Sequence, residues 1–228
     1  MINDLRREII KTVRNNIGCS MLPDDEYTIM KYPKLIPFMV FNVKQYDLEN
    51  FGHLMLMHTR TKMGMELLTL SFMPSAYVNL PYLLLDAMSM KKKRCVFVEY
   101  YGCGNDNLTD ELLKKVYERY RNLPDYDEKD NWYVKERMPY SLIKSGEETE
   151  LIEMSVKSVE AYLSSVKDAE IDLEYREKLV KFRERMIVEG NPSSKTLKLL
   201  LKEDGARTFM EEVIMPIPPK NMNPIVNH

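Results

Sequence analysis

Between Tyr27 and Tyr101 the chain is a succession of short apolar runs joined by connections too brief to cross a sheet. The runs are Tyr27–Tyr32, Leu35–Val43, Phe51–Arg60, Met65–Met73, Tyr82–Met90 and Arg94–Tyr101. A parallel crossover takes a dozen or more residues, so runs this close together pair antiparallel. Met63-Gly64 and Lys91-Lys92-Lys93 fall where two of the hairpin turns are needed. The spacing predicts a meander of about six strands, and any fold for this chain must be built around it.

The flanks have a different period. Leu5, Ile9, Ile10 and Val13 recur at helical spacing within residues 2–16. After Gly102-Cys103-Gly104, Thr109 is placed as the N-cap of a helix over 110–122, and Pro124 with the acidic stretch Asp125–Asp130 marks a loop. Helices are predicted over Glu147–Lys167 and Ile171–Val188, the second stopped by Gly190-Asn191-Pro192. Two further short helices, Ser194–Lys202 and Ala206–Ile214, are expected around Asp204-Gly205. Strands grouped first and helices later give an α+β fold, read as a three-layer α/β/α sandwich with a central antiparallel sheet flanked by helices. One domain is assigned to residues 1–215 and a Pro-rich tail to 216–228.

Composition narrows the function classes. The 228 residues suffice for one sizeable core, and 44% apolar with 30% charged residues excludes a disordered chain. A formal net charge of −2 gives no global pull toward nucleic acid or a membrane surface. The charged start around Asp4, Arg6 and Arg7 leads us to expect no secretory signal, and no apolar stretch approaches the length of a membrane span. Cys19, Cys95 and Cys103 are odd in number and unpatterned, which fits a cytoplasmic protein without a disulfide framework. His53 and His58 are five apart on one predicted strand and point to opposite faces, so no metal site is expected. Gly102-Cys103-Gly104 lacks the third glycine and following helix of a dinucleotide fingerprint. Seventeen methionines suit either an adaptable core or a pocket for a large flexible apolar ligand.

Asp86 is the leading chemical candidate. It ends the run Leu80-Pro81-Tyr82-Leu83-Leu84-Leu85-Asp86, where a carboxylate is costly if it faces inward. Burial favours the neutral acid, and an acid protonated near neutral pH can donate to a substrate. The alternative is an ordinary strand-end acid in water.

Three segments, in order, resemble one family. Phe51, Leu56, Gly64, Leu68, Pro74, Leu80, Pro81 and Asp86 carry the first likeness, and Ser141-Leu142-Ile143-Lys144 a weaker one. The last comprises Tyr175-Arg176, Asn191-Pro192-Ser193, Lys202-Glu203-Asp204-Gly205 and the stretch from Phe209 to Ile214. Together they resemble the ferredoxin-dependent bilin reductases. The resemblance implies a linear tetrapyrrole such as biliverdin bound between the sheet and the carboxy-terminal helices. It implies no cofactor held by the protein, single electrons from ferredoxin or a flavodoxin-like carrier, a radical mechanism, and a monomer without nucleic-acid or membrane partners.

On that resemblance Asp86 is the catalytic proton donor, Thr69 stands where family members carry His or Asn, and Met57 stands where one branch carries a Glu. Asn191 falls where several members have a second acid, and Lys144 where an Arg grips a substrate propionate. Thr69, Asn191 and Lys144 are thus the expected substrate-binding residues. Threonine and asparagine supply no acidic proton, and lysine offers a point charge in place of a bidentate fork. Lys91, Lys92, Lys93 and Arg94 form a basic patch, read either as a solvated hairpin turn or as the docking site of an acidic electron carrier. The rival to a reductase is a tetrapyrrole-binding or carrier protein that keeps the fold without turnover.

Overall fold

The computed structural model describes residues 1–49, 51–75, 78, 80–104, 111–165, 173–191 and 193–217. An opening helix, α1 (Ile2–Asn16), buries the stripe Ile2, Leu5, Ile9 and Val13. Seven strands follow: β1 (Cys19–Met21), β2 (Ile29–Tyr32), β3 (Met39–Leu48), β4 (Gly52–Thr61), β5 (Met65–Pro74), β6 (Tyr82–Met90) and β7 (Lys93–Tyr101). Next come α2 (Glu111–Tyr120), a 3₁₀ turn (Trp132–Glu136), β8 (Leu142–Ser145), α3 (Glu148–Ser164), α4 (Leu173–Val188), α5 (Ser194–Phe209) and a π-helical turn (Met210–Ile214).

All eight strands join one antiparallel sheet in the order β1-β3-β4-β5-β6-β7-β8, with β2 also paired to β3. Side chains alternate across each strand, so the register sorts them into two layers. Leu68, Ala87 and Val96 face α1, α2 and α3, joining Leu5, Leu113, Leu151 and Tyr162 in one core. Met57, Leu84 and Tyr82 face α4, α5 and the π turn, joining Leu179, Phe182, Phe209 and Val213 in the other. The three-layer α/β/α sandwich is therefore the observed architecture. Among the described residues no helix is long and apolar enough to cross a membrane.

Several expected boundaries move. The strand read over Leu35–Val43 begins at Met39 and runs on to Leu48. Proline lacks the N–H that a ladder needs, and Leu35, between Pro33 and Pro37, is 97% exposed. The short edge strands β1 and β8 escaped the sequence because three or four residues carry too little periodicity. The two short helices expected after residue 193 are both present, joined end to end in α5 and the π turn and parted by a kink at Lys202 (φ 64°, ψ −177°), where the first was expected to end. The N-cap assigned to Thr109 lies outside the described residues, as do residues 218–228 of the Pro-rich tail.

Candidate functional site

One row of the sheet places the central acid. Val43, Met57, Thr69, Asp86, Phe97 and Ile143 are successive cross-strand partners from β3 to β8, so their side chains share the face covered by α4 and α5. Asp86 sits in the middle of β6, not at its end, because the strand continues to Met90. It points into a cavity of about 20 Å³. The sheet supplies the cavity's walls, Met57, Thr69 and Leu84 beside Asp86, and the helical layer closes it with Asn191, Met210 and Ile214.

Burial pushes the Asp86 carboxyl up to about 6, against the opposing pull of the hydroxyl that Thr69 donates to its Oδ1. The acid is thus poised to hold and release a proton close to neutral pH. Thr69 is a direct partner of Asp86, as the antiparallel register requires.

Asn191 also reaches the cavity, but its carboxamide is committed to the α4–α5 turn. Its Nδ2 donates to the Met186 carbonyl at 3.1 Å, and its Oδ1 accepts from the Ser193 amide at 2.9 Å. Nδ2 also lies 3.6 Å from Met210 Sδ. That contact divides the cavity from a neighbouring cleft of about 210 Å³ between α4 and α5, which Asn191 and Met210 line as well. The inner cavity holds about one water molecule. An organic ligand needs several hundred cubic ångströms, so its admission requires the α4–α5 roof to lift.

Lys144 is not in this site. It pairs with Val96, which places its side chain on the α1–α3 face, opposite Asp86. Its ammonium donates to the carbonyls of Arg121 (2.6 Å) and Leu123 (3.1 Å) and to Asp125 Oδ1 (2.5 Å). It ties the end of α2 to β8, which corrects the expectation that it grips a propionate in this pocket. The patch Lys91–Arg94 forms the β6–β7 turn, about 17 Å along the strand from Asp86. Lys91, Lys92 and Lys93 are exposed, whereas Arg94 leans toward Glu148 (3.6 Å) and Glu147 (4.0 Å) at the start of α3.

A second buried acid was missed by the sequence reading. Glu99 is the cross-strand partner of Leu84 and shares the face of Asp86. It accepts from Tyr101 Oη at 2.9 Å and from Arg137 Nε at 2.6 Å, and Arg137 in turn grips Glu128. Burial pushes the Glu99 carboxyl up to about 7, with Arg137 drawing it down and the nearby Asp86 charge pushing it up. Its signal was available: Glu99 interrupts Val96-Phe97-Val98 and Tyr100-Tyr101 as Asp86 interrupts its own apolar run. Arg137, 38 residues further on, has no local pattern that would link it to Glu99. His53 and His58 do point to opposite faces. Among the described residues no three metal-ligating side chains converge.

No family model and no curated protein matches the chain. Among solved structures it matches phytochromobilin synthase from tomato, crystallised in its selenomethionine form in complex with biliverdin, with a TM-score of 0.75. The match covers 93% of this chain and 81% of the tomato chain at 13% sequence identity. The two chains share a fold. At that identity the likeness is one of fold, and the site must be argued from this chain's own residues.

Proposed function

We propose that the chain is a bilin reductase: it binds a linear tetrapyrrole of the biliverdin type between the sheet and the α4–α5 layer and reduces one of its double bonds. The observation that carries this reading is Asp86, a carboxyl raised to about 6 and facing a cavity between sheet and helices. The solved structure sharing its fold, the tomato synthase, is in complex with biliverdin. Reduction of a double bond takes two electrons and two protons. A ferredoxin-like carrier supplies the electrons singly, each leaving the carrier oxidised. Asp86 gives one proton to the bilin radical anion and is reloaded from solvent when the roof lifts; the second arrives by the same route after the second electron. Thr69 holds the carboxyl in place throughout. Lys91, Lys92 and Lys93 are the docking cations for an acidic carrier, where charge raises the encounter rate and makes it salt-dependent.

A carrier without turnover is the second reading. It is favoured by the carboxamide of Asn191, which leaves Asp86 as the one acid lining the cavity among the described residues. The two are separated by mixing the protein with biliverdin and recording absorption spectra with and without reduced ferredoxin. The reductase predicts progressive spectral change under reduction, and Asp86→Asn predicts retained binding with product formation slowed at least about tenfold. Binding with no change under reduction supports the carrier, and turnover unaltered in Asp86→Asn removes that residue from the mechanism.

A further inference from the structure

The opposite face of the sheet carries a groove that the reductase reading leaves unused. It has a volume of about 720 Å³ and runs between α1 and the strands β3 and β4. Its cations are Arg6, Arg7, Lys11 and Arg14 from α1 and Arg60 from β4, and no carboxylate lines it among the described residues. The α1 members occupy one helical face, because Asn3, Arg6, Arg7, Ile10, Lys11 and Arg14 recur at i, i+3, i+4, i+7, i+8 and i+11. Arg7 is neutralised by Asp4 (3.0 Å) and Glu8 (3.2 Å), and Arg60 by Glu66 (3.3 Å). Arg6, Lys11 and Arg14 have no carboxylate at ion-pair distance among the described residues, although the whole chain carries a net charge of −2. The charges of Arg6 and Arg60 both act on His58, which is buried beneath them with its Nε2 lacking a hydrogen-bond partner. Three cations without a carboxylate partner, Arg6, Lys11 and Arg14, therefore stand in a row along an exposed groove beside the paired Arg7 and Arg60.

We propose that this groove is a polyphosphate-binding site, taking a di- or triphosphate group either free or as the tail of a nucleotide. Arg6 and Arg14 lie about 12 Å apart along the helix axis with Lys11 between them, a spacing that suits a row of anionic groups better than one phosphate. Guanidinium forks match phosphate oxygens in pairs as they match carboxylates, so a poly-glutamate probe is the necessary competitor in the test.

Calorimetric titration of the whole chain tests this, using inorganic tripolyphosphate, ATP, orthophosphate and a short poly-glutamate as probes. The expected result is saturable binding of tripolyphosphate that weakens as salt is raised. Arg6→Ser/Arg14→Ser should weaken it at least about tenfold, while Lys91→Ser/Lys92→Ser and Asp86→Asn leave it unchanged. ATP binding more tightly than tripolyphosphate identifies a nucleotide, and equal affinities identify the phosphate chain. No saturable binding at about 1 mM probe, equal binding of orthophosphate or poly-glutamate, or equal loss in the Lys91/Lys92 variant overturns the proposal. Because the bilin assay reads the other face, failure here leaves the reductase reading untouched.

Discussion

The two faces of the sheet are built from different materials. The core toward α1, α2 and α3 is aliphatic and aromatic, with Met154 as its one fully buried methionine. The core toward α4 and α5 buries seven: Met30, Met55, Met57, Met73, Met186, Met210 and Met215. The same second face holds the half-buried Asp86 and the buried Glu99. Branched side chains lock into a few rotamers and specify one packing, whereas unbranched thioethers repack around an irregular shape. One face thus specifies a single packing, and the other is built of side chains that tolerate more than one.

The contrast can be broken most sharply at Arg137. Arg137→Ala leaves Glu99 buried without its counter-charge and should cost about 3–5 kcal/mol in denaturant unfolding. Arg137→Met with Glu99→Gln should recover most of that loss, since it removes both charges together. A cost below about 1 kcal/mol for the single change, the level of an exposed pair, would mean that the acid-bearing face is wetter than its geometry shows.

Next in size is a paired truncation. Leu85→Ala, fully buried on the α1–α3 face, should cost about 3–4 kcal/mol, while Met57→Ala beside the cavity should cost about 2. Equal losses would contradict the division into a fixed and an adaptable layer. Met57→Ala should also preserve bilin binding, since it enlarges the pocket.

Protons give a third comparison. The folded state holds the Asp86 proton up to about 6 against an ordinary 3.8, so between those values it binds more protons than the unfolded chain, and stability falls as pH rises. His53, on the same face, is lowered by burial from 6.5 to about 4, so over that window the unfolded chain binds more protons and stability rises with pH. The two slopes oppose each other. Asp86→Asn should raise stability relative to wild type above pH 6, by about 3 kcal/mol at one 1.4 kcal/mol step per pKa unit. His53→Gln should give the opposite difference, a gain relative to wild type confined to low pH. Thermal melts across pH 4 to 8, taken as differences from wild type, read both. The smallest effect is Met57→Leu, which should change stability by less than about 1.5 kcal/mol and tests whether flexibility at that position serves binding rather than stability.

The meander was legible because each long strand announces itself. Tyr82–Met90 is bounded by Pro81 and by a lysine turn, and its limits were read without error. Asp86 was legible for the same reason, as a charge at an inward position of a strongly patterned run. Lys144 misled because a resemblance in sequence gives a position and not a face: a one-residue step along β8 exchanges the pocket for the opposite core. Glu99 and Arg137 stayed hidden as a pair because only the folded chain brings them together. The methionine excess pointed to an adaptable region without saying where it lay.

The π turn at Met210–Ile214 roofs the cavity and accepts the Ser71 hydroxyl on the Ile214 carbonyl, joining residues 143 positions apart. A ribosome delivers the walls of the site, Met57 to Asp86, long before this roof. A domain folds as a unit, so the cavity around Asp86 exists only after the π turn has been made.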